Sequence, residues 1–464
     1  MKIRFYNTLT QEKENFEPIT KGETGLYACG PTVYNFAHIG NLRTYIFNDI
    51  LRRVLKFNGF KLNHVMNITD VGHLTSDADE GEDKMREGAK RENKSVWEIA
   101  KFYEDSFFSD ILSLNIQKPE IVCRATDHIN DMINMEKKIE ENGYAYSAGG
   151  NLYMDTSKVE DYGKLARLKI KDLQHGARAE IDINKKNPSD FVLWFTKSKF
   201  GDQDMKWESP WGTGYPGWHI ECCAMSSKYL GEQFDIHTGG IDHIPVHHTN
   251  EIAQAEAAFG KKPWVKYWLH GEFLVMDKGK MSKSSGKFLT LQNLVDKGYD
   301  PIAYRFLCLG ANYRKQLMFS WEAMEGASQG YRSLKNRISE LKKNEISYDG
   351  ENRKDYYLKK FKEFVNDDMN IPQALALLNN MIKDNMLGSV EKLEITEHFD
   401  QVLGLKLLEK ENAEIPDDVL SLVEEREKAR GEKDYELSDK YRDMIREKGF
   451  EVKDTKSGQV IEKL

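Results

Sequence analysis

Apolar positions recur four apart along residues 41–57, at Leu42, Ile46, Ile50 and Val54, with Phe47 and Leu51 beside them. A stripe at that period predicts a helix with one buried face, closed by Gly59. A short apolar run, TGLYAC (24–29), precedes it and ends in Gly-Pro-Thr, and KLNHVMNITD (61–70) follows it. Both runs read as strands. A strand, a helix and a strand of these lengths predict two parallel strands joined by a right-handed crossover. The pattern returns far downstream. FDIHTGG (234–240) reads as a strand, TNEIAQAEAAFG (249–260) as a helix and YWLHGEFLVM (267–276) as strand-like. Residues 121–205 between the two units are of mixed character, with Gly149, Gly150 and short alternating runs. The simplest architecture is a nucleotide-binding parallel sheet in two halves, split by an insertion.

Beyond Trp321, the last of eight tryptophans, the chain turns charged, long-period and helical. Pro372 and Pro416 mark helix starts there. A length of 464 residues predicts several domains rather than one core. Composition changes this picture little, since 40% hydrophobic and 31% charged residues are ordinary for a globular chain. No apolar run approaches the ~20 residues that cross a bilayer. The opening MKIRFYNTLTQEKENF reads as a strand and a polar turn without the apolar core of a signal peptide, which predicts a cytoplasmic protein. Five cysteines, Cys29, Cys123, Cys222, Cys223 and Cys308, are too few and scattered for a disulfide framework. They predict buried hydrophobes, metal ligands or nucleophiles instead. A net charge of -8 excludes a generally basic nucleic-acid coat but not a local RNA-binding face.

The candidate chemistry lies where the predicted strands end, because open α/β sheets bind ligands at the carboxyl ends of parallel strands. Cys29-Gly30-Pro31-Thr32 and Thr69-Asp70 fall at such ends. The first helix opens at His38-Ile39-Gly40-Asn41. Its N–H groups suit phosphate, Gly40 allows close approach, and His38 and Asn41 add donors. Lys280-Met281-Ser282-Lys283-Ser284 follows the second unit in a loop bounded by glycine, and suits closing over a polyphosphate. A third set has metal-ligand chemistry: Cys29, then Cys222 or Cys223, then His247 and Glu251 four apart on one helical face. Periodicity leaves the choice between the two adjacent cysteines open.

HIGN (38–41) and KMSKS (280–284) together resemble the paired signature motifs of class I aminoacyl-tRNA synthetases. In that family the fourth position of the first motif is usually His, where this chain has Asn41. The blocks YACGPTVYNFAHIGN, NITDVGH, GARAEIDINKKNPSDFVLW, GWHIECCAM, HHTNEIAQAEA and GKMSKSSGKFLTL resemble, in order, those of the cysteinyl-tRNA synthetase family. The resemblance runs from about residue 20 to the C-terminus.

The resemblance implies an α/β, Rossmann-type catalytic sheet split by an insertion, then an all-α bundle and a small anticodon-end module. The expected divisions are 1–120 for the first catalytic half with HIGN, 121–205 for the insertion, and 206–265 for the second half with the metal ligands. A stem-contact region with the KMSKS loop (266–320), the bundle (321–410) and the module (411–464) follow. It implies ATP-driven formation of cysteinyl-adenylate and transfer of cysteine to the 3′ end of tRNA(Cys). His38, Asn41, Lys280 and Lys283 would act in catalysis. His38, Gly40, Asn41, Lys280, Met281, Ser282, Lys283 and Ser284 would hold ATP. Cys29, Gly30, Thr32, Thr69 and Trp218 would line the amino-acid pocket. One Zn2+ per chain would sit on Cys29, Cys222, His247 and Glu251, the place of Cys222 in WHIEC deciding between the cysteines, and Mg2+ would accompany ATP. A shaped pocket rejects serine poorly, by ~1–3 kcal/mol, whereas zinc prefers sulfur. L-cysteine, ATP and tRNA are thus the expected partners of a monomer. The alternatives are a ligase that joins cysteine to an amino-sugar, which should lack the C-terminal helices, and a non-catalytic zinc and RNA-binding relative.

Overall fold

The computed structural model describes residues 2–71, 94–167, 182–197, 204–276, 289–343, 346, 351–409, 416–455 and 458–463. They form two compact units, 1–408 and 409–464.

The first unit is built on five parallel strands, β1 (Glu23–Ala28), β2 (Lys61–Ile68), β3 (Ile121–Arg124), β4 (Phe234–Gly240) and β5 (Val265–Gly271), in the spatial order β5-β4-β1-β2-β3. Helix α1 (Ile39–Phe57) joins β1 to β2. It buries the predicted stripe, from Leu42 through Leu55, within the largest apolar cluster. Helices α2 (Trp218–Leu230) and α3 (His247–Phe259) flank β4, and their small buried faces include Cys222, Cys223, Ala253 and Ala257. Strand β4 lies between β1 and β5 and is buried along Phe234–Gly239, which makes the two halves of the chain one sheet.

Three boundaries differ from the sequence pattern. Ile121–Arg124 pairs with β2 at the sheet edge, so the insertion starts later than 121. Its own sheet is antiparallel, from Ala145–Ala148, Asn151–Met154, Phe191–Phe195 and Tyr215–Pro216, which carries it past 205. A four-residue edge strand and a two-residue terminal one are too short to show a period. The run 267–276 is not one strand. It breaks after Gly271, and Leu274–Met276 pairs in parallel with Leu317–Phe319 in a separate ladder.

Helices Val96–Ser113, Ile129–Glu141, Leu291–Val295, Pro301–Leu309, Trp321–Lys343, Glu351–Asn366, Ile371–Lys383 and Ser389–Leu403 also belong to this unit. Pro372 sits in the first turn of its helix, where the lost N–H is harmless. The second unit holds helices Asp417–Gly431 and Tyr435–Glu447 and a hairpin, Phe450–Thr455 with Gly458–Lys463. Its small core is Val419, Ile445, Phe450 and Val452, with the buried Arg426 guanidinium bonded to Asp454 at 3.0 Å. Among the described residues no helix is long and apolar enough to cross a membrane.

Candidate functional site

The loops that leave β1 and β2 are tied together. The Gly30 N–H donates to Asn67 Oδ1 at 2.8 Å, and a Cβ on Gly30 would lie 1.6 Å from the Asn67 carbonyl oxygen, so glycine alone fits. Asn67 Nδ2 donates to Thr69 Oγ1 (3.0 Å), which donates to Glu221 Oε2 (3.2 Å). Thr32 and Thr69 form an isolated parallel bridge. Cys29, Gly30, Thr32 and Thr69 are thus brought to one end of the sheet.

His38 caps α1. Its Nδ1 accepts the Asn41 N–H at 3.0 Å, and Asn41 Oδ1 accepts the His38 N–H at 3.3 Å. An accepting Nδ1 puts the proton of the neutral ring on Nε2, which becomes a donor. The Ile39 N–H goes to the Leu289 carbonyl (2.9 Å), and His38 bridges Thr290. These bonds do not engage the N–H of Gly40, where a Cβ would press the His38 ring at 3.0 Å. Lys280, Met281, Ser282, Lys283 and Ser284 lie outside the described residues. The chain that follows them, at Leu289 and Thr290, meets His38 and Ile39.

Next to this end lies a buried cluster. One ligand atom each of Cys29, Cys222, His247 and Glu251 lies within 4.8 Å of the others. A second set meeting the same limit is Cys29, His237, His248 and Glu251. The bonding separates them. In the second set, Cys29 Sγ meets His248 Nε2 at 3.4 Å and His237 Nε2 meets Glu251 Oε2 at 2.7 Å, both as hydrogen bonds. In the first, His247 Nε2 and Glu251 Oε1 pair at 2.6 Å, and Cys222 is in hydrogen-bond contact with Cys29 and His247. The first set thus gathers two thiols, an imidazole nitrogen and a carboxylate oxygen, a donor set that suits a common cation.

Electrostatics point the same way. Burial pushes the Glu251 carboxyl up, but the His247 and His237 imidazoles outweigh it and hold it well below the carboxylate range. Burial pulls His247 down, but Glu251 and Cys222 outweigh it and raise the ring to about 10. Burial raises the Cys29 thiol. The hydrogen bond with Cys29, together with burial, raises Cys222 well above an ordinary thiol. Burial, and then the neighbouring imidazoles, lower His243, His248 and His270, so the positive charge gathers on His247 beside Glu251.

The comparisons with known proteins follow the same line. Residues 15–329 match the family model described as the class I (C) tRNA synthetase catalytic domain. The cysteine–tRNA ligase of Treponema denticola is 52% identical, over 98% of this chain and 98% of that protein. Cysteine–tRNA ligase 1 of Burkholderia lata is 47% identical, over 99% and 96%. The chain belongs to the cysteine–tRNA ligase family. The methionyl-tRNA synthetase of Mycobacterium tuberculosis, solved with methionyl-adenylate, shares the fold at a TM-score of 0.57 and 12% identity, over 82% of this chain and 90% of that one.

Within this family fold, Trp218 stacks on His247, with ring centroids 4.0 Å apart and planes 8° apart. The sequence reading missed the ring of histidines around the cluster. His219 Nδ1 meets His247 Nδ1 at 2.9 Å. His248 Nδ1 meets His270 Nε2 at 2.7 Å, and His270 Nδ1 meets Thr8 Oγ1 at 2.7 Å. Gly239 makes room for them, since a Cβ there would lie 2.6 Å from His248 and 2.7 Å from His243. The available signal was His237 and His270, each a polar residue inside a strand that reads as fully buried.

Proposed function

We propose that this chain activates L-cysteine with ATP to cysteinyl-adenylate and transfers it to the 3′ end of tRNA(Cys). The observation that carries the reading is the convergence of two thiols, an imidazole and a carboxylate at the strand ends that lead into the His38 cap. Two sulfur donors, one nitrogen and one carboxylate oxygen fit one Zn2+. Cys29, Cys222, His247 and Glu251 would hold it, with His219 and His237 orienting His247 and Glu251 from outside. When bound, zinc supplies a thiophilic centre that selects the substrate thiol over a serine hydroxyl.

Trp218 walls the amino-acid pocket through its stack on His247, with Gly30, Thr32 and Thr69 lining its other side. His38 Nε2 and the Asn41 amide donate to ATP, and the Gly40 backbone admits it closely. Lys280 and Lys283 offset the charge on the leaving pyrophosphate and, with Met281, Ser282 and Ser284, hold ATP, with Mg2+ accompanying the nucleotide. The C-terminal unit and full-length relatives named for tRNA favour tRNA as acceptor over an amino-sugar. The protein works as a cytoplasmic monomer.

The test is exchange of pyrophosphate into ATP. Exchange should require cysteine, fail with serine, and fall with loss of zinc. Purified tRNA(Cys) should then accept cysteine. Exchange with intact zinc but no charging of tRNA(Cys) would move the acceptor to another amine or hydroxyl.

A further inference from the structure

We propose that Arg43 is a positioning residue for adenylation, which holds the nucleotide end of α1 at its working place against the backbone on the far side. The inference rests on the adenylation reading above.

Arg43 stands one turn inside α1 and is 5% exposed. Its Nη1 donates to the carbonyl oxygens of Glu272 (2.7 Å) and Phe273 (2.6 Å). Its Nη2 donates to those of Lys315 (2.5 Å) and Asn312 (3.4 Å). Among the described residues it makes no ion pair. A buried cation solvated only by carbonyl dipoles is an expensive way to fill space, and burial lowers the pKa of its guanidinium. What it gains is geometry. One planar fork spans two separate backbone segments, the turn between β5 and Leu274–Met276 and the stretch before Leu317–Phe319.

The neighbouring bonds serve the same end of the helix. The Ile39 N–H is held by Leu289, and the Ile39 carbonyl accepts the Tyr304 hydroxyl at 2.6 Å. One turn beyond Arg43, Phe47 stacks on Tyr313 with ring centroids 4.5 Å apart. Tyr313 in turn donates to Asp368, beyond the end of helix Glu351–Asn366, at 2.7 Å. The first turn of α1 carries His38, Gly40 and Asn41. Its position is therefore set from the Arg43 side, two to five residues from the groups proposed to meet ATP. A misplacement of about 1 Å at such groups costs on the order of 10²-fold in rate.

The experiment compares wild type with Arg43→Lys and Arg43→Gln, each checked for folding by thermal melt and for zinc content. Lysine keeps the charge but cannot span both segments, and glutamine keeps only one amide. Both variants should hold zinc and keep the KM for cysteine within about twofold. Their kcat for cysteine-dependent pyrophosphate exchange should fall at least tenfold. An unchanged kcat in a folded, zinc-loaded Arg43→Lys would overturn the proposal. Unfolding of both variants would overturn it too, because Arg43 would then serve the fold alone. A wild type with no exchange would instead defeat the adenylation reading.

Discussion

Cys222 and Cys223 are adjacent on α2 and both are buried, at 2% and 0% exposure, yet their thiols meet different partners. Cys222 joins Cys29, His247 and Glu251. Cys223 Sγ donates to the Glu251 carbonyl at 3.3 Å and to Gln254 Oε1 at 3.4 Å, and needs its proton for both bonds. Cys223 Sγ belongs to neither group of ligand atoms that converge within 4.8 Å of one another, whereas Cys222 Sγ belongs to one. Cys222→Ser should therefore purify without zinc, while Cys223→Ser keeps about one equivalent, its hydroxyl serving the same acceptors. Metal analysis of the two purified variants decides it, and the reverse pattern would make Cys223 the ligand. Helical period could not have made this choice, since neighbours on a helix differ by a rotation that burial on both faces conceals. The place of each sulfur relative to Cys29, His247 and Glu251 favours Cys222, and that placement arises only once α3 is packed against α2.

At the scale of elements, the apolar stripe of α1 made the helix legible within two residues of its observed start, and FDIHTGG coincides with β4. Polar interiors were not legible. His64 on β2 reads as an ordinary strand residue but is 3% exposed and lies 3.4 Å from Arg52 Nη1 of α1. Arg52 donates to Nδ1, so the ring is neutral with its proton on Nε2. Burial first, then the Arg52 charge, pull its pKa down to about 3, against the opposing pull of Glu120 and Asp49. An unfolded histidine titrates near ~6.5. The unfolded chain thus takes up a proton below that pH while the folded one does not. The stability this group contributes is complete above ~6.5 and drains as pH falls toward 3, by at most about 1.4 kcal/mol per pH unit. His64→Gln should flatten the fall of the urea midpoint between pH 6.5 and 4.5 relative to wild type. Parallel curves for the two proteins would show that His64 titrates alike in both states.

For the whole molecule, the question is what joins the sheet to the helices around residues 301–404. A motif search could not answer it, because the joint is built from residues 256 and 348 positions apart without a signature. Asp49 of α1 is the centre. Its Oδ2 accepts Arg53 Nε at 2.7 Å and Arg305 Nη2 at 2.6 Å, and its Oδ1 accepts the Gln117 N–H at 2.9 Å. Arg305 also donates to the carbonyls of Leu403 (2.9 Å) and Leu114 (3.2 Å), and Arg53 to those of Gln401 (3.1 Å) and Asn115 (2.8 Å). Asp49 and Arg305 are both fully buried. Such a hub adds little net stability over apolar packing, but breaking one member leaves charge unpaired in the interior, at about 3–5 kcal/mol. Asp49→Asn should cost that much, read as a lower unfolding transition of the intact chain at pH 7. Combining it with Arg305→Leu removes one of the stranded cations, so the double variant should lose less than the sum of the two single losses. Strict additivity would mean that Asp49 and Arg305 act independently, so that the joint rests on separate bonds rather than on a coupled hub.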